Sequence, residues 1–172
     1  MRLVTPGSFE EGLPTLHLTT KQRHREEMAD TAPHEYTVRA RSGVEGIGWI
    51  DAKDQTIKFD RAWGGPPSVE VPGPAEVLAS AFAACLLKNI ERFSQLLPFS
   101  YEDVEVDVTI HRQDRPPRFD RIDYVITLTT DASTDRVALL AKNLSKYGTV
   151  YNTLAATCDV TGSIETRSPG AT

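Results

Sequence analysis

The stretch Gly73–Phe93, GPAEVLASAFAACLLKNIERF, decides how the rest of the chain is read. Pro74 suits a first helical turn, where the missing N–H has no intrahelical partner in any case. From Val77 to Leu87 the only clearly polar residue is Ser80. A helix that is apolar all round needs cover on every side. Further on, Leu86, Ile90, Phe93 and Leu97 keep one stripe, Lys88, Glu91, Arg92 and Gln95 turn polar, and Pro98 ends the run. Cys85, one of two cysteines, lies near the middle. It is either a nucleophile or a small residue filling a tight core, and its surroundings must decide.

Working outward, "EYTVRARSG" places Tyr36, Val38 and Ala40 on one face of a strand. "EGIGWIDAKDQTIKFDR" reads as two more strands about a turn at Asp51–Gln55, and "WGGPPSVEVPGP" as a loop. After the helix, Val104, Val106, Val108 and Ile110 alternate with Glu105, Asp107, Thr109 and His111. A partner strand carries Ile122, Tyr124, Ile126 and Leu128, which makes a hairpin with one wet face. Ser133 or Thr134 is placed to cap a second helix with the stripe Val137, Leu140, Ala141 and Leu144. Gly148 stands where a left-handed C-terminal cap is wanted. "TVYNTL" reads as a short turn, and a last strand puts Cys158, Val160 and Ile164 on one face. The order predicts an α+β fold of antiparallel sheets packed on a long central helix. One sheet covers only one side of that helix, so a second subunit is expected to cover the rest.

Residues 1–33 read as a polar N-terminal extension, an exposed helix or a loose arm, ahead of a single domain over 34–172. The chain has 172 residues and a formal net charge of -5, which argues against nucleic acid as a partner. No apolar run approaches the roughly 20 residues that cross a bilayer, and the first residues carry no signal-peptide core, so no membrane association and a cytoplasmic location are expected. Two cysteines make no disulfide framework. The histidines His17, His24, His34 and His111 have no metal-ligand spacing, and no dinucleotide or phosphate loop is present. No metal and no cofactor are therefore expected.

"PAEVLASAFAAC" and "LSKYGTVYNTL" together resemble the motifs of the OsmC/Ohr superfamily, over roughly Tyr36 to Glu165. The resemblance implies an intertwined homodimer with two sites at the subunit interface and thiol-dependent reduction of organic hydroperoxides in oxidative stress defence. It maps the peroxidatic cysteine to Cys85. It maps the resolving cysteine to Gly148, so that thiol is missing. The family's glutamate falls on Ala75, and Glu76 matches a glutamate of other branches. The thiolate-stabilising arginine is Arg39 or Arg41, with Arg41 preferred beside the turn "SGVEG".

The competing readings are physical. A free cysteine is among the most buried residue types, and chemistry at Cys85 needs a thiolate with help nearby; Lys88 and an arginine are the candidates. Glu76 lies about 13.5 Å along the helix axis from Cys85 and half a turn round, so it acts only through an arginine or across the dimer. Otherwise it is a first-turn glutamate favoured by the helix dipole. Cys158 reads as core packing or as a displaced resolving cysteine, which would need its Cα within about 7 Å of that of Cys85. Tyr147 and Tyr151 flank position 148, as pocket lining or as core. Two functions stay open: a one-cysteine hydroperoxide reductase recycled by an external thiol, and a non-catalytic dimeric protein whose apolar interface pocket holds a small or lipid-like molecule.

Overall fold

The computed structural model describes residues 34–43, 46–66, 68–97 and 99–170. The N-terminal extension, with the helix or arm read there, lies outside the described residues. Val38–Thr172 forms one compact unit. Its elements run β1 (Arg39–Ser42), β2 (Ile47–Ala52), β3 (Gln55–Asp60), α1 (Pro74–Leu96), β4 (Asp103–Asp114), β5 (Pro117–Thr129), α2 (Thr134–Tyr147), α3 (Thr149–Ala155) and β6 (Asp159–Arg167).

α1 begins as its sequence demands. Gly73 is extended at the N-cap, Pro74 follows, and the Val77 N–H closes the first turn on the Gly73 carbonyl. Phe82, Leu86, Ile90 and Phe93, spaced by four, four and three residues, are the buried face. They join Ile122, Tyr124, Ile126 and Leu128 of β5 and Leu140 and Leu144 of α2 in one core. The other side of α1 is open in the single chain. Ser80, Ala81, Ala84 and Lys88 are exposed, and Leu87 retains 38% of its surface. From Val77 to Leu87 the helix is apolar but for Ser80, yet the described residues bury only one side of it.

β4 and β5 pair antiparallel with Val104 opposite Leu128, Val106 opposite Ile126, Val108 opposite Tyr124 and Ile110 opposite Ile122. The alternating pattern sets this register, because a slip of one residue would turn every apolar side chain outward. β6 departs from the antiparallel expectation. It lies parallel to β5, Ile122 beside Val160 and Ile126 beside Ile164. The cause is the connection: α2 and α3 return the chain to the starting end of β5, a crossover that only a parallel neighbour needs. β1, β2 and β3 form a separate antiparallel sheet. The β2–β3 turn is tight, with Lys53 at φ 53°. β1 is shorter than its sequence pattern implies: Val38 lies before it and is 62% exposed, and its four residues are all exposed.

Two helix ends differ from expectation. Ser133 is the N-cap of α2 but makes no side-chain cap; its backbone carbonyl accepts from Arg136 and Val137 instead. Gly148 ends α2 with φ -74°, not a left-handed conformation. Close approach, not φ, makes it glycine, as described below.

Gly162 of β6 lies beside Tyr124 of β5, and a Cβ there would stand 2.3 Å from the Tyr124 ring. The missing side chain is the space the ring occupies. Tyr124 packs edge-on to Phe82 at 5.7 Å and to Tyr151 at 6.3 Å. Burial, with the Tyr151 hydroxyl beside it, pushes Tyr124 up to about 12. A neutral tyrosine is therefore favoured by folding, and its contribution is complete below the ordinary value of 10.0 and lost as pH rises through about 12. Two outcomes follow. In an alkaline titration of phenolate absorbance, one of the five tyrosines should ionise last, and Tyr124→Phe should remove that step. Gly162→Val should displace the ring and cost about 1–3 kcal/mol in chemical denaturation.

Candidate functional site

Cys85 sits one residue before Leu86, on the flank of the buried stripe, and is half-buried. Three aromatic rings stand on this part of the helix: Phe82, Tyr124 and Tyr151, with Phe82 to Tyr151 at 5.9 Å. The chain between α2 and α3 passes directly over the thiol. A Cβ on Gly148 would lie 3.6 Å from the Cys85 sulfur. It would also lie 2.8 Å from the Tyr151 Cβ and 3.0 Å from the Leu144 carbonyl oxygen, so no side chain fits without movement. Gly148 serves two helices at once: its N–H donates to Leu144 O, and its carbonyl accepts from the Asn152 N–H.

The hydrogen-bond partner of Cys85 is Asn89, one turn on. Its amide nitrogen donates to the Cys85 carbonyl at 2.9 Å and to the Cys85 sulfur at 3.6 Å. Sequence reasoning passed over this residue. The signal was present: asparagine is a weak helix former whose side chain bonds back to the preceding turn, and here that turn holds the thiol.

The other candidates are dispersed within one chain. Arg41 bonds Asp51, Nε to Oδ2 at 3.0 Å, and lies over the Trp49 ring at 5.1 Å. The hydrogen bond raises Arg41 and, with Thr56 as a second donor, lowers the Asp51 carboxyl. Arg39 adjoins the same aspartate. Neither arginine bonds to Cys85 among the described residues. Glu76 folds back over the helix start, its Oε2 2.9 Å from where a Gly73 Cβ would be. With Asp60, Ser68 and Pro72 it lines a cleft of about 260 Å³. Lys88 is exposed on the turn after Cys85. Tyr147 packs on Phe93 at 5.8 Å and remains 44% exposed, while Tyr151 is part of the aromatic wall.

Cys158 lies just before β6 and donates to the Phe119 carbonyl at 3.3 Å. Its neighbours are not those of Cys85, and both thiols are free. Cys158 borders a surface depression of about 730 Å³ with His111, Arg112, Arg118 and Arg121. There His111 meets Asp123 at 2.8 Å. Among the described residues no group of three or more His, Cys, Asp or Glu side chains has metal-binding geometry. No described helix is long and apolar enough to cross a membrane.

The family model for OsmC-like protein matches residues 66–163, more than half of the chain, and includes both Cys85 and Gly148. The chain belongs to the OsmC-like protein family. Among curated proteins none matches it in sequence. Its fold is that of solved OsmC-like structures. An OsmC-like protein from Mycoplasma pneumoniae has TM-score 0.71 and 16% identity, over 78% of this chain and 99% of that one. A Legionella pneumophila organic hydroperoxide resistance protein OsmC, described as a predicted redox protein, has TM-score 0.63 and 20% identity over 77% and 99%. The organic hydroperoxide resistance protein OhrB of Bacillus subtilis has TM-score 0.55 and 18% identity over 78% and 98%. These identities carry the fold alone.

Arg39 and Arg41 lie ahead of the segment that the OsmC-like family model matches. The lid over the Cys85 thiol is backbone at Gly148, which makes that position testable. Gly148→Cys should lose about 1–3 kcal/mol of stability through crowding at Tyr151. It should also put a second thiol against Cys85. Intact mass after mild peroxide treatment should show a loss of two hydrogens in Gly148→Cys but no such intrachain loss between Cys85 and Cys158 in wild type.

Proposed function

We propose that this chain is a thiol-dependent organic hydroperoxide reductase of one-cysteine type, acting in oxidative stress defence. One observation carries the reading: a half-buried thiol on the central helix of an OsmC-like fold is roofed by backbone at Gly148. The Cys85 thiolate attacks the terminal oxygen of a hydroperoxide, the O–O bond breaks, and the alkoxide leaves as an alcohol after taking a proton. Cys85 becomes a sulfenic acid. An external thiol condenses with it, releasing water and forming a mixed disulfide. A second thiol then releases Cys85 and departs as the disulfide. The aromatic wall of Phe82, Tyr124 and Tyr151 suits the apolar part of an organic peroxide.

The proposal includes a homodimer. The open side of α1, with Ala81, Ala84 and Leu87, is the surface a second subunit would cover. Arg41, and Glu76 through an arginine, would act at Cys85 only across that interface, because within one chain Arg41 is held by Asp51. No cofactor is required, since the thiol carries the electrons.

Peroxide consumption with cumene hydroperoxide and a dithiol should be abolished in Cys85→Ser. It should be slow in wild type and decay with use, because an unresolved sulfenic acid reacts again to the sulfinic state. Equal consumption by Cys85→Ser and wild type would leave the apolar-pocket binding reading in its place. Light scattering at micromolar concentration should give twice the chain mass; a monomer would remove the interface role of Arg41.

A further inference from the structure

We infer that Asn89 stabilises the reactive form of Cys85 by donating an amide N–H to its sulfur. This rests on the proposal that Cys85 reacts as a thiolate. The geometry is specific. Asn89 is half-buried on the same flank of α1, one turn beyond the thiol, with Nδ2 2.9 Å from the Cys85 carbonyl oxygen and 3.6 Å from its sulfur. The carbonyl fixes which end of the amide faces Cys85. A carbonyl oxygen only accepts, so Oδ1 turned toward it would face a second acceptor, whereas Nδ2 has two hydrogens to give. The same choice aims an N–H at the sulfur.

A donor at that place favours the charged form over the neutral one, because a hydrogen bond to an ionised acceptor is stronger than one to a neutral acceptor. The groups packed about Cys85 leave this role open. The titratable and charged side chains on the elements packed about Cys85 include Lys88 and Arg92 of α1, Lys146 and Tyr147 of α2, Tyr151 of α3 and Tyr124 of β5. Arg92 lies over the Phe93 and Tyr147 rings and Lys146 over the Tyr147 ring. Tyr124 is engaged with Tyr151. None of them bonds to the sulfur among the described residues. The position to which the resemblance assigns the family's glutamate is Ala75, which has no polar group to offer. A helix-borne amide therefore takes over within one chain part of what a carboxylate and arginine pair would do.

The test is the pH profile of Cys85 alkylation by iodoacetamide, with Cys158→Ser as the common background. Asn89→Leu keeps the size and removes the donor. Asn89→Asp keeps the shape and puts an acceptor against the sulfur. Below the midpoint of the wild-type profile, Asn89→Leu should alkylate about three- to tenfold more slowly, and its profile should move to higher pH. Asn89→Asp should be slower still, an order that loss of packing alone would not produce. Thermal melts followed by circular dichroism establish that each variant is folded, and if the leucine variant is not, the isosteric aspartate carries the test. Profiles of the folded variants that coincide with wild type would overturn the inference. Dimedone trapping after peroxide separates it from the proposed function. Sulfenic acid in wild type with unshifted variants sinks the role of Asn89 alone. Shifted variants with no sulfenic acid in wild type uphold the hydrogen bond and sink the peroxide reading.

Discussion

The structure depends on one docking: the stripe Phe82, Leu86, Ile90 and Phe93 of α1 against the apolar face of β5. Each of these side chains is worth about 1.5–3 kcal/mol in burial, and all four come from a single helix. The β4–β5 hairpin supplies the floor, α2 closes one side through Leu140 and Leu144, and Tyr124 and Tyr151 fill the end nearest Cys85. The rotation of α1 about its axis is fixed by that stripe. It follows that Cys85, one residue off the stripe, is held at the edge of the core and not inside it.

That placement sets the chemistry available. A thiol deep in the core would have no partner and no access; one on the open face would have no walls. On the flank it gains aromatic surface on one side, the Gly148 backbone above it and the Asn89 amide one turn along. The glycine is required by space, since α2 and α3 meet at a residue with no room for a side chain. A side chain at position 148, a second thiol included, is therefore excluded by the packing of Tyr151 and Leu144.

How much of this was legible in the sequence varies with the range of the interaction. The strands of the hairpin, the stripe on α1 and the extents of α1 and α2 are readable because they are local periodicities of two and of about 3.6 residues, whereas TVYNTL reads as a short turn and is the helix α3. The parallel pairing of β6 is not readable, because strand direction depends on where a crossover delivers the chain. The cap of α2 was misread for a smaller reason: Ser133 has the right identity, but its carbonyl performs the task. At the site, Cys85 and the glycine opposite it were found through a family resemblance, and no periodicity could have paired residues so far apart in sequence. Asn89 lies four residues from Cys85 and was overlooked because a neutral amide in a helix attracts less notice than a charge.

The distribution of charge and apolar surface carries the remaining step. β1–β3 contains Arg39, Arg41 and the loop after it carries Trp63, yet this sheet shares little core with the rest of the chain; Ile57 is 42% exposed and Trp63 fully so. The open side of α1 presents alanines and Leu87. Apolar surface of this extent, on two elements of a chain with an otherwise well-formed core, is costly to leave in water. A sheet without a core of its own and a central helix without its second cover are complementary deficits. In the proposed homodimer a second copy would meet both at once, and it would bring arginines to a helix whose thiol has, among the described residues, a neutral donor in Asn89. The Arg41–Asp51 pair is exposed and so is worth little on its own. It can be given up cheaply if a thiolate offers a better partner across such an interface.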